Sequence, residues 1–438
     1  MKEYQKCAKE MLDFIEKSPT CFHAIANLKE MLIEQGFCEL KENESWEVRA
    51  GAGYYVTRND SSLIAFRVPV CIDGSVTVGV GGLRGFHMIA SHSDSPTFKV
   101  KEAPEMTVEN IYVKLNTEKY GGMILSTWLD RALSVAGRVV VKGENGVETR
   151  LVNVDKDLLV IPNVAIHMNR EMNKGFEYNP QVDMLPLYAD MGESKKKTSL
   201  MKRVAKAAGV KQDDILGHDL YLYPREKGRI LGENGEFILS PRLDDLQCVF
   251  TSSKAFMESE PKGYINVCAV FDNEEVGSGT KQGADSTFLE DTLWRIGESL
   301  GLSRSEYLQM VAGSFLISAD NAHAVHPNHP EKADPTNRPY LNRGIVIKYH
   351  GSQKYATDAV SSAEMKRICK EAEVPFQTYA NRSDILGGST LGNISTAHVS
   401  VSSVDIGLPQ LSMHSAVETA GVKDTKYAVE AFKVFYGA

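Results

Sequence analysis

The sequence predicts an α/β protein in which helices flank a central, mostly parallel β-sheet and a β-rich domain is inserted into the chain. Three observations lead to this fold class. The chain has 438 residues, more than most single domains contain. Strand-like and helical segments alternate after residue 236, whereas residues 96–235 are rich in strands. The main domain is therefore expected to be discontinuous and to comprise residues 1–95 and 236–438.

Residues 1–36 predict two helices. Apolar side chains recur at helical spacing in both halves of this segment. Ser18, Pro19 and Thr20 separate the two halves, and such a sequence is typical of a helix boundary.

Short β-branched runs from residue 54 to residue 90 predict strands. The runs are YYVT, LIAFRV, SVTVGV and HMIA, with Asp and Gly turns between them. Within the insert the runs VENIYVKL, GRVVVKG and DLLVIP continue this pattern. One Lys-rich stretch from Ser199 to Ala208 predicts a helix that ends at Gly209.

The alternating region predicts helices at 245–256, 286–300, 361–373 and from Lys423 onwards. Its strands are predicted at INVCAVF, SFLIS and HVSVSSVDIG. Such alternation is typical of a mostly parallel sheet with helices on both faces.

The composition is that of an ordinary globular protein, with 42% hydrophobic and 24% charged residues. The formal net charge of -8 argues against a nucleic acid or an anionic membrane as partner, because both require a basic surface. No apolar run approaches the roughly 18 to 20 residues that span a bilayer. The seven cysteines include no CxxC pair, which favours reduced thiols and a cytoplasmic protein.

Four apolar runs each lead into a cluster of side chains that can bind metals: FHMIASHSD, INVCAVFDNEEVGSG, GSFLISAD and VSSVDIGLPQLSMHS. Ligands of open α/β sheets bind beyond the carboxyl ends of strands, so clusters far apart in sequence can converge. Carboxylate and imidazole ligands suit zinc, manganese or cobalt. Two such cations that share a carboxylate need roughly six protein ligands if each keeps an open position. The candidates are His92, Asp244, Glu274, Glu275, Asp320 and His414.

Each cluster also has a structural interpretation. His92 and Asp94 could form a hydrogen-bonded turn. Glutamate pairs are usually solvated, but this pair directly follows an apolar strand, where a cation would relieve its repulsion. Asp244 or Asp245 could cap the helix that begins there.

Three histidines, His323, His326 and His329, recur every third residue in ADNAHAVHPNHP. The interleaved prolines favour an irregular loop, so His323 is interpreted as lining the site rather than binding a metal. GVGGLRG and GSGTKQG lack the spacing of nucleotide-binding loops.

With these clusters identified, the sequence closely resembles the aspartyl aminopeptidase family of dinuclear zinc exopeptidases, nearly from end to end. The matching stretches, in the family's order, are ASHSDSP, IPNVAIHMNR, SPRLDDL, FDNEEVGSGT, SADNAHAVHPNHP, SDILGGSTLG and VDIGLPQLSMHS. The resemblance implies an α/β peptidase domain made of both chain ends, and an insert that serves as a dimerisation domain.

The resemblance also implies two Zn²⁺ ions per subunit, with Mn²⁺ or Co²⁺ as possible substitutes. His92 and Asp320 would bind one ion. Glu275 and His414 would bind the other, and Asp244 would bridge both.

The remaining roles follow from the same resemblance. Glu274 would be the general base, and Asp94 would orient His92. His167 would reach into the active site of the neighbouring subunit, within a homo-dodecamer built from dimers.

Peptides with acidic N-terminal residues, or with neutral ones such as leucine, are the implied substrates. An acidic preference requires a nearby cation, for which Lys348 and Arg382 are the candidates. Two alternatives stay open: a two-metal amidohydrolase or deacylase, and a non-catalytic shell that binds peptides.

Overall fold

In the computed structural model, residues 1–70, 78–79, 82–144, 146–192, 199–388 and 390–438 are described. Their helices are α1 (Lys2–Glu16), α2 (Cys21–Glu34), α3 (Pro180–Asp183), α4 (Leu200–Ala208), α5 (Leu243–Met257), α6 (Phe288–Ser299), α7 (Arg304–Ala312), α8 (Ala359–Glu371), α9 (Leu391–His398) and α10 (Val422–Tyr436). Their strands are β1 (Cys38–Leu40), β2 (Gly53–Arg58), β3 (Ser62–Arg67), β4 (Gly85–His92), β5 (Thr97–Val108), β6 (Tyr112–Tyr120), β7 (Leu133–Gly143), β8 (Gly146–Asn153), β9 (Leu187–Asp190), β10 (Ile215–Pro224), β11 (Arg229–Leu231), β12 (Phe237–Ser240), β13 (Tyr264–Phe271), β14 (Phe315–Ala319), β15 (Ala322–His323), β16 (Ile345–Tyr349), β17 (Phe376–Ala380), β18 (Ser402–Gly407), β19 (Pro409–Leu411) and β20 (Glu418–Gly421).

The central sheet has the strand order β1-β2-β3-β13-β4-β14-β18-β16-β17 among the described strands. Its middle strands β13, β4, β14 and β18 are parallel to one another. Antiparallel β3 and β16 border this block on its two sides. The predicted fold class is therefore confirmed.

Helices cover both faces of this sheet. Residue Ile89 of β4 packs into one core with side chains of α1, α2, α5, α8 and α10. Its neighbours Met88 and Ala90 point the other way, into a core formed with α6, α7 and α9. Because alternate residues of a strand face opposite sides, a strand covered on both faces is apolar throughout. This explains the uninterrupted apolar runs of the sequence.

The insert forms a separate antiparallel sheet with the order β8-β7-β10-β5-β6-β9 and its own core. Side chains of α4, among them Leu200 and Val204, pack into that core. The strands of this sheet lie between residues 97 and 224. Strand β11 lies within the predicted insert, 96–235, but it pairs with β12. The predicted domain boundaries stay a prediction.

A small sheet, β11-β12-β20-β19-β15, lies at the edge of the site described below. Strand β12 leads into α5, and β19 and β20 flank the loop that carries His414. This sheet therefore joins two of the segments that supply candidate ligands.

Several local predictions agree with the structure. Helices α1 and α2 are separated at 17–20, as predicted. The Ser199 side chain caps α4 by accepting a hydrogen bond from the amide of Lys202, and Gly209 ends the helix with a φ of 69°.

Other local predictions differ from the structure. A turn at Glu109 and Asn110, both with positive φ, divides VENIYVKL between β5 and β6. DLLVIP contributes isolated bridges at Leu159 and Val160 instead of a strand of the described sheets. Cys71 and most of SVTVGV lie outside the described residues.

None of the helices in the described ranges has the length and apolar character that a bilayer span requires.

Candidate metal centre

The candidate ligands meet at the carboxyl edge of the central sheet because the parallel strands end in register. Phe271 of β13 lies opposite His92 of β4, and Ser318 of β14 lies opposite Ala90. The residues that follow β13 and β14 therefore emerge beside His92. The predicted convergence of strand ends agrees with this register.

Asp244 lies between the two histidines. Its Oδ1 is 3.5 Å from His92 Nε2, and its Oδ2 is 3.4 Å from His414 Nε2. Asp320 Oδ1 is 3.8 Å from the same nitrogen of His92. Glu275 Oε2 is 3.4 Å from the same nitrogen of His414. The geometry thus consists of two adjacent groups that share one carboxylate.

The carboxylate oxygens and imidazole nitrogens of the site are suited to binding cations. Asp244 offers donor atoms to two groups, one with His92, Asp245 and Asp320 and the other with Glu275 and His414, and a third group joins His92 to Glu274 and Glu275. The donors of each group lie within 4.8 Å of one another. Among the described residues, the buried oxygens Asp244 Oδ1 and Glu275 Oε1 have no hydrogen-bond partner. A buried carboxylate oxygen without a partner is costly, and a divalent cation at this position would satisfy it.

The electrostatics also favour cations. Burial raises the pKa of Glu274 to about 7 and raises the pKa of Glu275 well above its usual range, and neighbouring carboxylates add to both shifts. Burial alone would lower the pKa of His414, but the contact with Asp244 raises this pKa to about 9. Several acids in one buried site hold protons that metal ions displace on binding.

Asp94 contacts three parts of the site. Its Oδ1 accepts a hydrogen bond from the amide of Glu274 at 3.1 Å, and its Oδ2 accepts one from the amide of Glu275 at 3.2 Å. His92 Nδ1 lies 3.1 Å from the Asp94 carbonyl oxygen and 3.4 Å from its Oδ1. If Nδ1 carries the proton, Nε2 is free to act as a ligand.

The capping role that the sequence left open for Asp244 or Asp245 is wrong. Asp244 and Asp245 have non-helical backbone angles where α5 is kinked. Among the described contacts, neither side chain accepts a hydrogen bond from an amide of that helix. The peptide bond between these two aspartates is cis. Asp245 is fully buried, and its Oδ2 accepts a hydrogen bond from the amide of His92.

Glu418 is a site residue that sequence reasoning missed. Its Oε2 accepts a hydrogen bond from the amide of Asp244 at 3.0 Å, and its Oε1 accepts one from the amide of His414 at 2.8 Å. Asp244 is 174 residues away in the chain, so no local spacing could have indicated this contact.

The proposed substrate-binding residues lie in two places. Lys348 is buried on β16, and its Nζ is 3.6 Å from Asp320 Oδ2. Arg382 and His323 line a groove of about 290 Å³, to which Lys332 and Tyr379 also contribute. Arg382 donates two hydrogen bonds to Asp384, at 2.9 and 2.7 Å.

His167 does not join the ligands of its own chain among the described contacts. It lies in an exposed segment, 162–168, on the inserted domain. Val164, Ile166 and Met168 of this segment are exposed too, with Met168 82% accessible.

The chain is similar to known proteins along its whole length. A family model described as "Aminopeptidase I zinc metalloprotease (M18)" matches residues 14–436. The chain is 50% identical, over 441 residues and the full length of both proteins, to "Probable M18 family aminopeptidase 2" of Clostridium novyi (strain NT). A protein of Clostridium acetobutylicum with the same name is 48% identical over the same extent.

Solved structures agree with these matches. The chain superposes on a structure titled "Cryo-EM structure of the Ape4 and Nbr1 complex" with a TM-score of 0.94 and 38% identity, over 99% of this chain and 86% of that one. It superposes on "Structure of S. cerevesiae mApe1 dodecamer" with a TM-score of 0.84 and 27% identity, over 99% and 97%.

Proposed function

Since the chain belongs to the M18 family of metallo-aminopeptidases, we propose that it removes N-terminal residues from peptides with a water molecule activated between two cations. The observation that carries this proposal is the position of Asp244, whose two oxygens face different histidines at 3.5 and 3.4 Å. A carboxylate between two imidazoles is the arrangement expected for a bridging ligand.

The proposed cations are two Zn²⁺ ions, although the same donors accept Mn²⁺ and Co²⁺. His92 and Asp320 would hold one ion, Glu275 and His414 the other, and Asp244 both. The bound ions would supply Lewis-acid polarisation of the scissile carbonyl and a lowered pKa of the attacking water.

Glu274 is the proposed general base. Asp94 accepts a hydrogen bond from the amide of Glu274. The carboxylate of Glu274 makes no hydrogen bond to the described residues, and one of its oxygens lies within 4.8 Å of donor atoms of His92 and Glu275. This carboxylate is therefore available to a water molecule. It would accept the proton of the attacking water and deliver it to the amine of the leaving group.

Acidic N-terminal residues are the proposed preferred substrates, with neutral residues such as leucine as the alternative. Arg382 and Lys332 bring two positive charges to the groove beside His323, and Asp334 brings one negative charge. Lys348 lies closer to the metal centre, next to Asp320. These cations would recognise a side-chain carboxylate.

We further propose that the chain assembles into a homo-dodecamer of dimers through its insert. A similar structure is titled as a dodecamer. The exposed apolar side chains around His167 are suited to a protein interface. In such a dimer His167 would stabilise the developing oxyanion in the partner's site. A cytoplasmic location stays a prediction from the cysteine spacing.

The direct experiment is metal analysis of the Zn²⁺-reconstituted protein, followed by hydrolysis assays. Chromogenic amides of Asp, Glu and Leu are compared with their N-acetylated counterparts. We expect two ions per chain, cleavage of the free-amine substrates only, and faster cleavage of Asp and Glu than of Leu amides. Cleavage of the acetylated amides would favour an amidohydrolase or deacylase, and peptide binding without hydrolysis would favour a non-catalytic shell.

A further inference from the structure

We infer that residues 120–124, which leave strand β6 of the inserted sheet, position both halves of the metal centre within their own chain. The inference rests on the proposed metal-binding function. It assigns to the insert a role in the site of the same subunit, in addition to any role across an interface.

The first contact joins Tyr120 to the loop that carries the glutamates. The Tyr120 hydroxyl donates a hydrogen bond to Asp94 Oδ2 at 2.6 Å and accepts one from Asn273 Nδ2 at 2.8 Å. Asp94 in turn accepts the amide hydrogens of Glu274 and Glu275. The position of Tyr120 therefore determines how Asp94 holds the proposed base and the adjacent ligand.

The second contact is a close approach at Gly121. This residue has a φ of +79°, and a Cβ atom built on it would lie 3.1 Å from Glu275 Cβ and 3.3 Å from Glu275 O. Both distances are tighter than ordinary van der Waals contacts. A side chain at this position would displace Glu275, because the backbone of residue 121 packs directly against it.

The third contact fixes His414. Its Nδ1 lies 2.6 Å from the carbonyl oxygen of Gly122, and its own carbonyl oxygen accepts a hydrogen bond from the amide of Ile124. A carbonyl can only accept, so Nδ1 carries a proton, and Nε2 is the ring nitrogen that would bind a metal ion. This nitrogen lies 3.4 Å from Asp244 Oδ2 and 3.4 Å from Glu275 Oε2. The segment thus sets both the tautomer and the orientation of this ligand.

These contacts predict that small changes in residues 120–124 alter the metal centre without removing any ligand. Outer partners of metal ligands typically change metal affinity or activity about 10- to 100-fold when they are altered. We expect Gly121→Ala to weaken Zn²⁺ binding by about that factor. It should also change the visible absorption of the Co²⁺-loaded protein, because Glu275 is displaced. The matched control is Gly209→Ala, at a φ of +69° with no atom within 4 Å of the added Cβ.

A second variant keeps the test decisive if Gly121→Ala does not fold. Tyr120→Phe removes only the hydroxyl that contacts Asp94, and we expect weaker Zn²⁺ binding and an altered Co²⁺ spectrum. Its control is Tyr223→Phe, which lies in the same sheet and loses a hydroxyl bonded to Asn153 Oδ1 at 2.7 Å. Circular dichroism establishes that each variant is folded.

The experiment measures Zn²⁺ affinity by competition with a chelator and records Co²⁺ spectra of all four variants. If the folded Tyr120→Phe and Gly121→Ala proteins match their controls in both measurements, the inference is overturned. The proposed function is tested separately by peptide hydrolysis of the wild-type protein. A wild-type protein that binds ions but cleaves no peptide would refute that function, and the Co²⁺ spectra would still decide the role of residues 120–124.

Discussion

Asp244 shows how one residue organises the centre at the scale of single side chains. Its oxygens point to His92 and His414, so its placement fixes the relation between the two groups of ligands. Its backbone amide donates to Glu418, whose other oxygen holds the amide of His414. A buried acid thus aligns the backbones of two candidate ligands.

The role of Glu274 gives the first residue-scale prediction. Glu274→Gln should keep its full metal content, since no ligand is lost, but turnover should fall about 10²- to 10⁴-fold because proton transfer is removed. Metal analysis and kcat measurements test this. Glu298→Gln, on the exposed surface of α6, is the control. Near-normal turnover of Glu274→Gln would refute the assignment.

The second residue-scale prediction concerns substrate preference. Arg382→Met should lower kcat/KM for Asp amides relative to Leu amides about 10- to 150-fold, because hydrogen bonds to a charged group are worth roughly 1.5 to 3 kcal/mol. Arg382 is a cleaner test than Lys348, whose replacement would also disturb Asp320. Arg367→Met, which removes an arginine ion-paired on α8, is the control. An unchanged ratio of Asp to Leu cleavage would exclude Arg382 from side-chain recognition.

The third residue-scale prediction concerns Glu418. We expect Glu418→Gln to weaken Zn²⁺ binding about 10- to 100-fold, because the amide can accept at only one of the two positions and presents N–H groups at the other. Asp424→Asn is the matched control. Asp424 is also buried and accepts two backbone amides, those of Asn342 and Gly344. Both variants should lose stability in urea, and equal Zn²⁺ affinities would contradict the role of Glu418.

At the scale of secondary structure, the metal centre depends on close packing between the ends of the neighbouring strands β14 and β18. The amide of Asp320 donates to the carbonyl of Ile406, and the amide of Ala322 donates to that of Leu408. Gly407 lies between these two bonds. A Cβ atom on Gly407 would lie 2.2 Å from the carbonyl oxygen of Asp320.

Gly407→Ala is therefore predicted to separate the ends of β14 and β18. Overpacking of this kind typically costs about 1 to 3 kcal/mol of stability. Zn²⁺ affinity should fall as well, because Asp320 moves with the strand end. Urea unfolding and Zn²⁺ titration test both effects. The control is Gly217→Ala, in strand β10 with no atom within 4 Å of the added Cβ, and it should leave stability and Zn²⁺ affinity unchanged. Equal stability and Zn²⁺ affinity of the two variants would contradict the predicted role of Gly407.

At the scale of the whole molecule, the insert contacts the site of its own chain and carries a residue proposed to act in a second chain. Residues 120–124 contact the centre of their own chain. His167 lies on the exposed segment 162–168, where it is available to a second copy of the chain. The insert thus combines support within the subunit with the proposed contribution between subunits.

Mixing of variants tests the contribution between subunits. His167→Phe should lower turnover while the oligomer, measured by analytical ultracentrifugation, stays intact. When subunits exchange with the Glu274→Gln protein, some sites combine an intact Glu274 with an intact partner histidine, so activity should partly return. Full activity of His167→Phe alone would remove the proposed role.

The sequence by itself determined the central sheet and most of the candidate ligands. Strands covered on both faces are apolar throughout, and polar side chains that follow them must lie at one edge of a parallel sheet. His92, Glu275 and Asp320 were found in this way. The elements α7, α9, β16 and β17 were not predicted, although Lys348 lies on one of them.

Only the tertiary structure decided how the ligands are held. Asp94 binds the amide of Glu274 across 180 residues of sequence, and Glu418 binds that of Asp244 across 174. Tyr120 ends a strand of a different sheet, and Gly122 follows that strand in the chain; both reach the centre. Local spacing encodes which face of an element a residue occupies, whereas contacts between backbone groups so far apart depend on the packing of whole sheets. For this reason the sequence indicated the chemistry of the site, and the fold decided which residues position it.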